Sequence, residues 1–151
     1  MDIRFPLLLI IISILGYSCC TQKECASAFD SKEIQLDGFS LDETSDISIC
    51  SYSKGSGFTK AIDSAFTKSR TYSGNIDDDL IITVPIVFNS EFDYKLFFHR
   101  LDLTYEITEI STISEKCNDC FLTSDNYIRL ASYKVNGRLY EMSSFLIEKL
   151  Y

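Results

Sequence analysis

From residue 80 to residue 107 apolar side chains recur at nearly every second position, and that period commits the middle of the chain to extended strands. Successive side chains on a strand point to opposite faces, so alternation marks one buried face and one wet one. In residues 80–88 (LIITVPIVF), Leu80, Ile82, Val84, Ile86 and Phe88 share a face, and Ile81, Thr83, Pro85 and Val87 take the other. Pro85 has no N–H, which predicts a strand at a sheet edge or a bulge at that point. In residues 92–113 (FDYKLFFHRLDLTYEITEISTI) the even positions Tyr94, Leu96 and Phe98 give way to the odd positions Leu101, Leu103, Tyr105 and Ile107, and Ile110 restores the even phase. A one-residue slip exchanges the two faces, so a turn or bulge is expected near His99–Arg100 and another near Thr108–Glu109.

The same reading extends outward. Residues 127–142 hold Asn136-Gly137 between two alternating runs, the pair that accepts positive φ at both centres of a type I′ turn. That hairpin sets Val135 opposite Arg138 and Tyr133 opposite Tyr140, where the two rings would stack across the strands. Residues 47–53 (ISICSYS) alternate as a strand, a short strand is expected at 33–36, and residues 145–151 can supply a last one. Phe58, Ile62, Ala65 and Phe66 fall at i, i+4, i+7 and i+8 with Ser56 as a cap, which predicts one short helix over about residues 58–69, an irregular segment being the competitor. Six or more short strands with turn signals between them predict a mainly β, predominantly antiparallel, sandwich-like single domain over residues 33–151.

The N-terminus has a different character. Arg4 precedes the run FPLLLIIISIL, and the apolar stretch of residues 5–17 is 13 residues long, short of the about 20 that a spanning helix needs. Small residues follow, Gly16 and Ser18, so a signal peptide over residues 1–18 with cleavage before Cys19 is expected. Residues 19–32 then form a polar tether. All six cysteines, Cys19, Cys20, Cys25, Cys50, Cys117 and Cys120, survive the cut, and in an exported chain they are read first as disulfides. Cys117 with Cys120 is the first expected pair, and Cys25 or Cys20 with Cys50 the next. If Cys19 carries a lipid, five cysteines remain and one thiol is left over.

Losing Asp2 and Arg4 leaves 13 Lys and Arg against 21 Asp and Glu, a net charge of −8 with no basic run. Phosphate backbones bind clustered cations, so nucleic acid is not an expected partner, and an acidic chain meets an anionic bilayer through a lipid rather than through charge. Cys117-Asn-Asp-Cys120 lies between strand-like flanks and lacks the helix N-terminus a redox pair needs or the second ligand pair of a zinc knuckle; a structural disulfide is the better reading. His99 is the one histidine, and it reads as a solvent-facing residue beside Arg100 and Asp102 rather than a catalytic base. Asp77-Asp78-Asp79 lacks the spacing of a calcium loop and reads as a solvated turn. No metal, cofactor or enzymatic activity is expected.

Leu15-Gly16-Tyr17-Ser18-Cys19 resembles the lipobox of bacterial lipoproteins, with Ser18 at −1, Leu15 at −4 where the family has it at −3, and a bulky Tyr17 at −2. Cys20 is the poorer acceptor, since Cys19 would then occupy −1. The order DYKLFF, YEITEISTI, CNDC and SYKVNG also resembles small lipoproteins of unknown function from Bacteroidota. The resemblance implies lipid attachment at Cys19, a place in the cell envelope and a β-rich domain without known activity. The expectation is an exported, lipid-anchored envelope protein with a non-enzymatic binding or structural role and an envelope protein as partner. The alternative is a periplasmic immunity protein or enzyme inhibitor, an acidic chain that captures a basic toxin or lysozyme.

Overall fold

The computed structural model describes residues 32–71, 80–117 and 126–150, with only the backbone of residues 68–71. The chain divides into two compact units, residues 1–25 with 115–127 and residues 26–114 with 128–151. Of the first unit the described part comprises residues 115–117 and 126–127, where the Tyr127 hydroxyl donates to Glu115 at 2.9 Å.

The described chain is built from strands. In chain order these are β1 (Glu33–Asp37), β2 (Ile47–Ser53), β3 (Ala61–Phe66), β4 (Lys68–Thr71), β5 (Leu80–Thr83), β6 (Phe92–Phe98), β7 (Leu103–Lys116), β8 (Asn126–Val135), β9 (Arg138–Tyr140) and β10 (Phe145–Glu148). They form a four-stranded sheet ordered β10-β1-β5-β4 and a six-stranded sheet ordered β3-β2-β6-β7-β8-β9. The two sheets pack together as a sandwich, as the alternation predicts. Their facing side chains make one core: Ile34, Ile82, Phe145 and Ile147 from the smaller sheet, and Ile47, Ile49, Tyr94, Leu96, Phe98, Ile107 and Tyr133 from the larger. β1 pairs antiparallel with β5 but parallel with β10, so the C-terminal strand returns beside the first strand of the domain.

Both phase slips take the expected form. Residues 99–102 turn between β6 and β7, with Asp102 at φ 54°. Within β7, Glu109 sits at φ 51°, an extra residue's worth of twist that returns Ile110 to the core at 4% exposure. At the hairpin Asn136 and Gly137 have φ of 49° and 83°, Val135 faces Arg138, and the Tyr133 and Tyr140 rings stack at 5.5 Å and 8°.

Two expectations are corrected. The helix over about 58–69 is replaced by β3 and the start of β4. Gly55 and Gly57 at φ 71° and 63°, with Phe58 at φ 60°, form a left-handed loop that no helix start tolerates, and it turns the chain back so that β3 pairs with β2. The stripe that a helix would have buried stays in water: Ile62 is 55% and Phe66 75% exposed. The strand carrying Pro85 is neither an edge nor bulged. β5 lies between β1 and β4 and ends at Thr83, so the proline falls beyond the ladder, where no N–H is required. The face assignment of residues 80–88 nonetheless holds past the strand end, with Val84, Ile86 and Phe88 all buried.

Candidate interaction face

The sandwich turns one face of its six-stranded sheet outward, and most residues of chemical interest in the described chain lie on it. Because Ile47 and Ile49 point into the core, Ser48, Cys50 and Tyr52 of β2 point out. Register carries this face across the neighbouring strands: Phe66 and Phe97 flank Ser48, and Ser64 and Lys95 flank Cys50. Tyr52 is kept from water by Phe58, whose ring meets it edge-on at 5.2 Å. The Lys95 ammonium lies 4.3 Å over the Phe58 ring and 2.8 Å from Glu106, closing the middle of the face.

At its end the face is open and aromatic. The His99 ring lies 6.5 Å from Phe66 and 6.4 Å from Phe97, at interplanar angles of 36° and 21°. Its Nε2 is 2.8 Å from the Ser48 hydroxyl, and its backbone N–H donates to the Asp46 carbonyl at 3.0 Å. A serine hydroxyl on an imidazole nitrogen is the first contact of a nucleophile–base pair. Here the pair stands on an exposed sheet surface between two phenylalanines, and its hydrogen bond sets the tilt of the imidazole beside the rings. His99 is solvent-facing as expected, in the turn after β6. The pairing with Ser48 was not legible in the sequence, because the two residues are 51 positions apart and meet through the β2–β6 register.

A cavity of about 210 Å³ is lined by Tyr105, Val135, Asn136, Arg138, Tyr140, Glu148, Lys149 and Leu150. It is smaller than the ~300–1,000 Å³ of typical small-molecule sites, and its charges are spent on one another. Arg138 donates to Glu148, Tyr140 donates to Glu148 at 3.3 Å, and Lys149 holds Glu43 at 2.7 Å. That lysine, with the Ser40 backbone N–H at 2.8 Å, keeps the Glu43 carboxyl at about 2. Burial pushes the Tyr133 hydroxyl, behind this wall, up to about 12, opposed by the N–H it accepts from Leu146. These contacts tie β9, β10 and the loop after β1 into the fold, a structural role.

Of the cysteines, Cys50 is a free, half-buried thiol on the outward face, so the expected pairing of Cys25 or Cys20 with Cys50 is corrected. Cys117 is disulfide-bonded, and its partner lies outside the described residues. Cys19, Cys20, Cys25 and Cys120 also lie outside them, as do Asp77, Asp78 and Asp79. Among the described residues no three His, Cys, Asp or Glu side chains come together as a metal site would require. Comparison with known proteins leaves the face to be read on its own chemistry: no family model, no curated protein and no solved structure matches the chain.

Proposed function

We infer that this chain is an exported envelope lipoprotein, cut before Cys19, held at a membrane by an acylated Cys19, and acting through a non-enzymatic binding face on its β domain. The observation that carries the binding role is the exposed end of the six-stranded sheet, where Phe66 is 75% and Ile62 55% exposed. Large apolar side chains left in water along one strand are surface that a binding partner would cover. Support for the anchor comes from the run of residues 5–17, the small residues before Cys19 and the polar tether after it. The free thiol at Cys50 fits the parity that lipidation requires: with Cys19 acylated and Cys50 free, Cys20, Cys25, Cys117 and Cys120 form two disulfides, Cys117–Cys120 among them. Metabolic labelling with a fatty-acid probe tests the anchor. Wild-type protein takes up label and Cys19→Ala takes up none; label retained by Cys19→Ala contradicts the assignment.

One observation favours the alternative, an inhibitor or immunity protein for a basic partner. Lys95, Arg100, Lys134, Arg138 and Lys149 are each held by a carboxylate of the same chain, which leaves the excess of acids to set the field that a partner meets. Lysozyme, as a basic probe, would then bind in a salt-sensitive manner; binding that is absent at low ionic strength removes this reading.

A further inference from the structure

We propose that the loop between β2 and β3 is a strap that closes over Tyr52 and opens about Gly57, so that Tyr52 joins the outward face of the six-stranded sheet only when Phe58 is released. The purpose of the opening rests on the reading of that face as a binding surface; the opening itself is a property of this chain alone. Both ends of the loop are fixed. At its start the Gly55 N–H donates to the buried Asp93 carboxylate at 2.8 Å. The Lys54 N–H donates to the Glu91 carbonyl at 3.2 Å, and the Lys54 ammonium to the Ser90 carbonyl at 3.0 Å. At its end Ala61 pairs with Tyr52. Between these points Gly57, Thr59 and Lys60 are exposed, and Gly57 has open space around it. Phe58 is the side chain that reaches back onto the sheet, edge-on to Tyr52 and under the Lys95 ammonium.

The closed strap carries two costs that opening removes. Phe58 at φ 60° lies in the left-handed region, which a bulky L side chain rarely adopts. The Ser56 Oγ is buried with no hydrogen-bond partner among the described residues, and on opening water supplies one. Against these stand one edge-on aromatic pair and one cation–π contact, each of the same order as the strain it holds. The closed and open states therefore lie close in free energy. The balance turns on the Lys95 ammonium, which its ion pair with Glu106 keeps in place. What opening uncovers follows from the pleat. Tyr52 shares its side of β2 with Ser48 and Cys50, so its ring, 8% exposed beneath Phe58, extends the row of Phe66, His99 and Phe97 along the sheet.

Acetylation of tyrosine hydroxyls by N-acetylimidazole, read residue by residue by peptide mass spectrometry on the folded protein, measures the opening without a partner. Tyr94 and Tyr133, both 0% exposed, serve as references for opening of the whole domain. In the wild type Tyr52 is expected to label at least about tenfold faster than either. Lys95→Met keeps an apolar stem over the ring, removes the charge, and is expected to raise the Tyr52 rate relative to Tyr94 about threefold. Phe58→Leu loses the ring as well and is expected to raise that ratio about tenfold. Because the ratio is compared, a general loss of stability does not imitate strap opening. A wild-type Tyr52 that labels at the pace of Tyr94 and Tyr133 overturns the proposal, as does a ratio that Lys95→Met leaves unchanged. A strap that stays shut leaves the exposure of Phe66 and Ile62 as it is, so the two readings fail separately.

Discussion

Three buried tyrosines act as staples. Each hydroxyl accepts a backbone N–H from a segment outside its own strand: Tyr94 from Asn89 at 2.7 Å, Tyr105 from Leu150 at 3.0 Å and Tyr133 from Leu146 at 2.6 Å. Tyr133→Phe leaves that N–H unpaired beside the core and is expected to cost about 1–3 kcal/mol, measured by urea unfolding. The same hydroxyl gives a pH signature. Its folded pKa is raised to about 12 from 10, so the stability it contributes is complete below pH 10 and is lost as pH rises through about 12. In Tyr133→Phe that alkaline loss is reduced. Glu43 has the opposite sign. Its folded pKa, lowered from 4.5 to about 2, makes its contribution complete above pH 4.5 and lost as pH falls through about 2. Thermal midpoints of wild type and Glu43→Gln are expected to differ at pH 6 and to converge at the acid end of that window. None of these contacts was legible in the sequence, where a tyrosine at a core position shows its ring but not the partner of its hydroxyl.

At the scale of elements, what alternation could reveal, it revealed. Strands with one dry face, β2 and β5 to β8, were readable because burial and period coincide, and the Asn136-Gly137 turn was readable because positive φ restricts residue choice. Gly137→Val places a β-branched residue at φ 83° and is expected to cost about 1–3 kcal/mol, read as a lowered urea midpoint. Edge strand β3 was misread because neither of its faces is dry, and four apolar residues at helical spacing then outweigh a strand that shows no alternation. The parallel return of β10 beside β1 depends on long-range packing, which local pattern does not carry. The contrast between Leu96 and Phe66 separates core from face. Leu96→Ala, at 0% exposure, is expected to lose about 2–5 kcal/mol. Phe66→Ser is expected to change stability by no more than about 0.5 kcal/mol, both measured by urea unfolding.

At the scale of the whole molecule, the proposed attachment through Cys19 would hold at a membrane a domain that exposes Phe66 and Ile62 on its six-stranded sheet. The attachment is tested most directly by the intact mass of membrane-extracted protein, with thiols alkylated before and after reduction. The expected mass lacks residues 1–18, carries acyl chains on Cys19, and shows a single thiol alkylated without reduction, at Cys50. A chain that retains residues 1–18, or one that is cut before Cys19 but bears no acyl group, contradicts the central claim.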